Sequence, residues 1–406
     1  MIRVYSSFTK AYLPKARTLA KSLKKLHPDW VFHAVFSDSL PEDFDLDAEP
    51  FDEMLGMPDI GIEDSERWAF RHTVVELCTA VKGAALQHLL SLPDTDCVFY
   101  IDPDIMILNP MTPLVDMLED ASILLTPHML EPEEESWLIE GNEVRATLAH
   151  GTFNLGFAGV RACDEGKAFA RWWNRRLLEF CYDDVPRGLF TDQRWCDLVP
   201  SFFPGYKIVR DPGYNVATWN IDKRPITRGE DGRYRAGDVP LRFYHFTGYD
   251  AQWNYQHLLL KHAEQFPAAK ELWDEYARAL EENGQNEKLK QKYDWFADGH
   301  KITPDRRHWK RRRGRISPKL KHWKYDWFAD GHKITPECRR HYRDNEKARK
   351  DFPDPYSGEY RAHCAAMGFL GGKRKESIIE HLGYTGQQIR YLFVLLYRRL
   401  LKGKGK

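Results

Sequence analysis

The hydrophobic pattern at the start of the chain alternates between strand and helix periods. Residues 2–7 and 30–36 are short apolar runs that predict strands, and residues 13–26 between them predict a helix. The helical spacing is carried by Leu13, Ala16, Leu19, Ala20, Leu23 and Leu26. A strand–helix–strand opening is typical of a parallel sheet, in which ligands bind at the carboxyl ends of the strands.

The same pattern continues through the first 255 residues. It predicts helices over 76–90 and 165–181, and strands over 97–101, 122–126 and 153–160. We therefore expect an α/β domain over residues 1–255, with a mostly parallel central sheet flanked by helices.

Residues 256–406 predict a second, mainly helical and basic region. Residues 255–291 have a largely helical pattern, and residues 387–402 predict a helix with a broad apolar face and basic ends. A segment of thirteen residues at 292–304 recurs identically at 324–336. Two copies are too few for a solenoid and indicate a duplication instead.

Formal charge is distributed unevenly, although the whole chain is neutral. Residues 1–304 contain 33 Lys and Arg against 49 Asp and Glu, whereas residues 305–406 contain 27 against 11. A basic tail on an acidic body predicts contact with something anionic: a phospholipid surface, a lipid-linked phosphate, nucleic acid or the acidic body itself.

The cysteines and the hydropathy of the chain predict the cellular compartment in which the protein is found. The seven cysteines are scattered and form no CxxC pair, which is typical of free thiols in a reducing environment. The first residues lack the apolar core of a signal peptide, and no stretch is apolar enough to span a bilayer. We expect a cytoplasmic protein.

The strongest chemical signal is Asp102-Pro103-Asp104, directly after the apolar run 97–101. Carboxylates at the end of a buried strand are hard oxygen ligands that suit Mn²⁺ or Mg²⁺. The alternative is a surface turn, where Asp-x-Asp is common.

With this motif, residues 1–250 resemble GT-A glycosyltransferases, which are Rossmann-like, and especially the retaining family 8. The further motifs, in the order that family has them, are Phe153-Asn154-Leu155-Gly156, Thr191-Asp192-Gln193 and His245-Phe246-Thr247-Gly248. The family's later Lys-Pro-Trp is absent, since Tyr249-Asp250-Ala251-Gln252-Trp253 stands there.

The resemblance implies roles for the residues of these motifs. Asn154 and Asp192 would contact the sugar, and the side-chain oxygen of Gln193 would lie near the anomeric carbon. His245 would join Asp102 and Asp104 as the third metal ligand. The alternatives are a polar strand residue at 154, a helix cap at 192 and a satisfied core histidine at 245.

Donor binding is implied at further positions. By family position, Lys82 would contact the diphosphate, and Tyr5, Ser6 and Ser7 would hold the nucleoside, with Asp102 and Gly248 also at the nucleotide sugar. For Lys82, a solvated lysine is the alternative.

A closer resemblance is to bacterial polysaccharide glycosyltransferases. It rests on Asn154-Leu155-Gly156, Trp172-Trp173, Phe190-Thr191-Asp192-Gln193, Asn215-Val216-Ala217-Thr218-Trp219-Asn220, His245-Phe246-Thr247-Gly248 and the Tyr-x-x-Phe-x-x-Gly-x-x-Ile pattern of 293–302 and 325–334. It implies metal-dependent, retaining transfer of a sugar from a nucleotide-diphosphate sugar to a glycan or lipid-linked glycan, in surface polysaccharide synthesis.

Two other functions remain open from the sequence. A sugar nucleotidyltransferase also uses a metal and an α/β sheet, but its Gly-rich loop after the first strand is missing from Tyr5-Ser6-Ser7-Phe8-Thr9-Lys10. A nucleic-acid-binding protein could use the basic residues 305–350, although no recognised motif is present there. The tail itself is either a solvated cap or, through 387–402, a peripheral attachment to the inner membrane face.

Overall fold

A computed structural model of the protein describes residues 1–37, 44–250, 266–285, 328 and 332–370. The chain divides into two compact units, Met1–Trp327 and Phe328–Lys406. The boundary expected at residue 255 stays a prediction.

The first unit is built on a seven-stranded sheet. Its strands and the shorter ones beside it are β1 (Ile2–Phe8), β2 (Val31–Phe36), β3 (Glu53–Gly56), β4 (Cys97–Ile101), β5 (Ile105–Ile107), β6 (Ile123–Pro127), β7 (Phe153–Arg161), β8 (Asp183–Asp184), β9 (Leu189–Phe190), β10 (Tyr206–Ile208), β11 (Ile226–Arg228), β12 (Tyr234–Ala236), β13 (Val239–Pro240) and β14 (Phe243–His245). The order in the large sheet is β10-β6-β7-β4-β1-β2-β3. Only β7 in this sheet is antiparallel to its neighbours, so the expected mostly parallel sheet is confirmed.

Helices cover the sheet. In the first unit they are α1 (Leu13–Leu26), α2 (Ser65–Ala69), α3 (Val74–Leu89), α4 (Thr112–Met117), α5 (Ser136–Leu138, continuing as a π-helix over Ile139–Leu148), α6 (Asp164–Phe180), α7 (Gln193–Cys196), α8 (Val199–Phe202) and α9 (Pro267–Glu282). Side chains alternate between the two faces of a strand. In β1, Val4 and Phe8 share a core with α1. The hydroxyls of Tyr5 and Ser7 instead donate to backbone carbonyls of α3.

A second core lies beside the large sheet. Strand β14 pairs antiparallel with β5, and β11, β12 and β13 form a small sheet. Helix α9 places Leu272, Trp273 and Tyr276 in a cluster with Tyr244 and Phe246 on either side of His245. The end of β14 is therefore held by buried aromatic packing.

The second unit contains three short helices in its described part. They are α10 (Pro336–Asp344), α11 (Glu346–Asp351) and α12 (Gly358–Ala366). Side chains of Thr335, Asn345 and Ser357 cap their amino ends. Tyr342 and Tyr360 pack edge to face in the centre, with ring centroids 5.1 Å apart.

The strands and helices predicted over residues 1–181 are found within one or two residues of their expected ends. The helical prediction for 255–291 is confirmed over α9. The first copy of the duplicated segment and the helix predicted at 387–402 lie outside the described residues, as does most of the second copy. All seven cysteines are free thiols, as expected.

Candidate metal and sugar site

Two acids and one histidine converge at the carboxyl end of β4. Asp102 follows β4, Asp104 precedes β5, and His245 ends β14. One ligand atom from each lies within 4.8 Å of the others. His245 Nε2 is 3.1 Å from an Asp104 carboxylate oxygen and 3.7 Å from an Asp102 oxygen. The cluster therefore contains the three residues expected to bind a metal.

Backbone pairing holds this cluster together. His245 is in register with Ile105 across β5 and β14, and the Phe246 amide donates to the Asp104 carbonyl at 2.8 Å. The Asp102 amide donates to the Gly156 carbonyl on β7, also at 2.8 Å. Three chain segments thus fix the three candidate metal ligands. Asp104 is buried, which contradicts the alternative of a surface turn.

Asp104 and His245 each stabilise the charged form of the other. Burial alone would raise the pKa of the Asp104 carboxyl, but His245 and Lys15 lower it to about 2. Burial alone would lower the pKa of His245, but Asp104 and Asp102 raise it. The Nδ1 atom of His245 has no hydrogen-bond partner among the described residues. Nε2 is the imidazole atom that faces the carboxylates, as its distances to Asp102 and Asp104 show.

Lys82 lies beside the cluster and is not solvated. Its ammonium, on α3, is 2.9 Å from an Asp192 oxygen, 3.3 Å from an Asp102 oxygen and 3.0 Å from the Leu155 carbonyl. Burial alone would lower the pKa of Lys82, but the two carboxylates raise it. The structure therefore brings Lys82, Asp102 and Asp192 into one buried ion network.

Asp192 and Gln193 sit where α7 begins, and their side chains are both buried. Asp192 makes no cap hydrogen bond to that helix and pairs with Lys82 instead. Burial raises the pKa of the Asp192 carboxyl, and Lys82 opposes this rise. The Gln193 amide nitrogen donates to the His150 carbonyl at 2.8 Å, which orients its carboxamide.

Asn154 lies on β7, two residues before Gly156 and on the same face of the strand. Its side-chain oxygen accepts from the Gly156 amide at 3.2 Å, and its nitrogen is 3.3 Å from His128 Nε2. A Cβ atom on Gly156 would stand 2.6 Å from the His245 ring and 2.8 Å from the Asn154 oxygen. Gly156 therefore brings the amide and the metal cluster close together.

The residues expected to hold the nucleoside, Tyr5, Ser6 and Ser7, are all buried. The Tyr5 hydroxyl donates to the Lys82 carbonyl at 2.9 Å, and the Ser7 hydroxyl donates to the Cys78 carbonyl at 2.6 Å. Ser6 is buried with no hydrogen-bond partner for its hydroxyl in the described ranges. Gly248 occupies a turn with φ of 68° after β14. Their contact with a nucleotide stays a prediction.

Tyr100 is a residue of the site that was not predicted from the sequence motifs. Its hydroxyl donates to the Asp102 carboxylate, and Lys82 Nζ lies 4.0 Å from the centre of its ring. The signal was present in the sequence, because positions two apart in an extended chain face the same side, and Asp102 comes directly after the strand that contains Tyr100. Tyr100 therefore helps to hold the Asp102 carboxylate in place.

Sequence comparison finds two curated relatives and no matching protein-family model. The uncharacterized protein YfnF of Bacillus subtilis (strain 168) is 33% identical over 177 residues, which are 43% of this chain and 57% of that protein. The uncharacterized protein YfnD of the same strain is 30% identical over 180 residues, 44% of this chain and 55% of that protein. The match thus spans less than two thirds of each relative.

The solved structures to which the chain is similar include three sugar transferases. The galactosyltransferase LgtC, in complex with donor and acceptor sugar analogs, has 15% identity and a TM-score of 0.40 over 70% of this chain and 97% of that chain. GlyE of Streptococcus pneumoniae TIGR4 has 17% identity and a TM-score of 0.41 over 69% and 62%. Mouse xyloside xylosyltransferase 1 has 14% identity and a TM-score of 0.35 over 61% and 98%. Similarity at this level does not by itself assign an activity.

Hydropathy of the described helices gives one further finding. None of the helices in the described ranges combines the length and the apolar character that crossing a bilayer requires.

Proposed function

We propose that the protein transfers a sugar from a nucleotide-diphosphate sugar to an acceptor hydroxyl, with a divalent cation held by Asp102, Asp104 and His245. One observation carries the proposal. The three ligand residues meet in one cluster, and the sugar-type hydrogen-bonding groups of Asn154 and Asp192 adjoin it. Cation binding and hydroxyl binding are thus available at the same edge of the sheet.

The residues of the cluster fit Mn²⁺ or Mg²⁺. Two carboxylates and an imidazole are an acceptable set for such a cation, with further positions left for phosphate oxygens and water. When bound, the cation would neutralise negative charge that develops on the departing diphosphate.

The chain's own side chains supply binding and orientation. Lys82 places a buried ammonium beside Asp102 and Asp192, where it offsets part of the carboxylate charge that would otherwise repel a diphosphate. Asn154 and Asp192 carry the donors and acceptors that hydroxyl groups need. Gln193 has its amide nitrogen committed to His150, so its oxygen is oriented for a role at the anomeric carbon.

The proposed reaction exchanges one bond at the anomeric carbon for another. The bond from the anomeric carbon to the phosphate oxygen breaks, and its electron pair leaves with the nucleoside diphosphate. The acceptor oxygen forms the new bond and gives its proton to the departing phosphate oxygen. Attack from the side of the leaving group retains the anomeric configuration, as the resemblance to family 8 implies.

A glycan or lipid-linked glycan is the acceptor we propose, in bacterial surface polysaccharide synthesis and in the cytoplasm. The relatively apolar, basic-ended segment 387–402 would bring the enzyme to an anionic membrane face where such acceptors are found. This segment lies outside the described residues.

A donor screen tests the proposal. The full chain is incubated with Mn²⁺ and with UDP-, GDP- and dTDP-sugars, and release of nucleoside diphosphate is measured with and without EDTA. We expect release with at least one donor, a loss of activity with EDTA, and a loss of about 100-fold or more in Asp104→Ala because a metal ligand is removed. Asp120→Ala, which removes an exposed acid after α4, is the matched control and should keep full activity.

Two further assays separate the alternatives. Formation of a nucleotide sugar and pyrophosphate from a nucleoside triphosphate and a sugar phosphate would identify a nucleotidyltransferase. Steeply salt-dependent binding of RNA, with no nucleotide-sugar turnover, would instead favour a nucleic-acid-binding protein.

A further inference from the structure

His128 occupies a defined place beside the sugar-binding groups. It follows β6 and is half-buried. Its backbone amide donates to the Thr152 carbonyl at 3.0 Å, and its own carbonyl accepts from the Asn220 side chain at 3.4 Å. The backbone of the residue is therefore held on both sides by hydrogen bonds, one to Thr152 and one to Asn220.

The contacts of the ring define its protonation state. His128 Nδ1 is 3.4 Å from the Thr152 carbonyl oxygen, which can only accept a hydrogen bond. Nδ1 therefore carries the proton, and Nε2 is left as an acceptor for the Asn154 amide nitrogen at 3.3 Å. Burial lowers the pKa of His128 to about 4, so the ring is neutral at pH 7.

These contacts leave Asn154 with one orientation of its carboxamide. The Gly156 amide donates to its oxygen, and His128 Nε2 accepts from its nitrogen. A carboxamide turned by 180° would face a donor with a donor and an acceptor with an acceptor. In the observed orientation, one N–H and one oxygen lone pair remain, which suits a hydroxyl group that both donates and accepts.

An aromatic side chain connects His128 to the metal cluster. The Trp219 ring lies 5.8 Å from the His128 ring and 5.6 Å from the His245 ring, edge to face with the latter. His128 and His245 thus both pack against the Trp219 indole.

We propose that His128 is a positioning residue that fixes the Asn154 carboxamide through Nε2, so that this amide meets a hydroxyl of the donor sugar. The inference rests on the proposed function. It adds His128, which would affect the sugar by orienting Asn154 and not by contacting the sugar itself.

The test is a double-mutant cycle on turnover of the nucleotide sugar that is best in the donor screen. His128→Phe keeps a ring and removes the acceptor, and we expect kcat/KM to fall roughly tenfold, the scale of one hydrogen bond. Because His128 acts through Asn154, His128→Phe should cause no further loss in Asn154→Ala. His128→Gln, which restores an acceptor oxygen, should recover most of the lost activity.

A binding measurement separates positioning from general damage to the fold. The nucleoside diphosphate of the same donor lacks the sugar, so its Mn²⁺-dependent affinity should be unchanged in His128→Phe. Independent, multiplicative losses in the double mutant would overturn the inference, because His128 would then act without Asn154. Weaker binding of the nucleoside diphosphate would overturn it as well.

A readout without any donor keeps the two proposals distinguishable. Nitrogen-15 spectra of the histidine rings at pH 7.5, with the His128 signal identified by its loss in His128→Phe, should show a proton on Nδ1 and none on Nε2. A proton on Nε2 would overturn the positioning role. Absence of turnover with every donor, together with the expected ring state, would instead count against the proposed function alone.

Discussion

At the scale of single residues, the site depends on a glycine, Gly156, as much as on Asp102, Asp104 and His245. Gly156 lies on β7 opposite the His245 ring, where a Cβ atom would be 2.6 Å from a ring carbon. His245 cannot retreat easily, because Trp219 packs against it and its backbone is paired with Val216 and Ile105. A methyl group at 156 must therefore displace His245, a proposed metal ligand, or the Asn154 amide.

We predict that Gly156→Ala weakens Mn²⁺ binding by about 10- to 100-fold, the usual cost of misplacing a metal ligand. The affinity is measured by calorimetric titration of the folded protein. Gly159→Ala is the matched control. Its added Cβ would crowd Phe99 at 2.8 Å on the other face of the same strand, so it should lower stability while leaving Mn²⁺ affinity intact. Equal Mn²⁺ affinity in both variants would contradict the prediction.

How far the site could be predicted differs from residue to residue. Asp102 and Asp104 are separated only by Pro103 in the sequence, and the buried strand before them indicates where they lie. His245 joins them only because β14 pairs with β5 in one register, across about 140 residues of chain. Local patterns do not define that register. The ion pair of Lys82 with Asp192 likewise follows from tertiary packing, and the sequence indicated each residue without indicating their contact.

At the scale of elements, the position of Lys82 depends on close packing of α3 against α6. Gly83 follows Lys82 in α3, and a Cβ atom there would lie 2.6 Å from the Asn174 Cα atom of α6 and 2.9 Å from its backbone nitrogen. Backbone atoms cannot rotate out of the way as a side chain can. The glycine therefore allows the two helices to approach and keeps Lys82 within reach of Asp192.

We predict that Gly83→Ala lowers the free energy of unfolding by about 1–2 kcal/mol. Alanine is favoured over glycine in a helix by about 1 kcal/mol, but the clash between helices costs about 1–3 kcal/mol, and contact with backbone places it at the upper end. Denaturant unfolding measures the change. Gly141→Ala, where an added Cβ meets nothing within 4 Å, is the control and should not destabilise the protein. A stabilised Gly83→Ala variant would show that α3 and α6 can separate at little cost.

Most of the strands and helices could be predicted from the spacing of hydrophobic residues. The strands and helices up to α6 were expected nearly at their observed ends, because each has either a continuous apolar run or a regular helical face. The π-helical stretch Ile139–Leu148 was not expected, since it has no buried residue and hence no hydrophobic period to detect. Strand β5 has only three residues, too few for a period, and its pairing with β14 decides its conformation.

At the scale of the whole molecule, the two units differ in charge and in aromatic content. The site lies in the first unit, with its excess of acidic residues, and all thirteen tryptophans lie at or before residue 327. The unit that begins at Phe328 contains none. Tryptophan fluorescence therefore reports on unfolding of the first unit, without interference from the second.

We use this asymmetry for a prediction about the metal. A ligand that binds only the native state stabilises it by RT ln(1 + [L]/Kd), which is about 2.7 kcal/mol at 100 times Kd. Saturating Mn²⁺ should therefore raise the fluorescence-detected melting temperature of the first unit by a few degrees, because the cation binds carboxylates that unfolding separates. Thermal melts of the full chain with Mn²⁺ and with EDTA measure the shift.

The comparison of two aspartate variants decides whether that shift arises from the cluster. Asp104→Ala removes a buried ligand and should abolish the rise, whereas Asp120→Ala removes an exposed acid and should keep it. Nonspecific binding of Mn²⁺ to the acidic surface would raise the melting temperature of both variants equally. Because such binding is also screened by salt, the shift of the wild type should persist at 0.5 M NaCl if three ligands hold the cation directly. A rise that disappears in salt and is the same in both variants would remove the metal from the proposed mechanism.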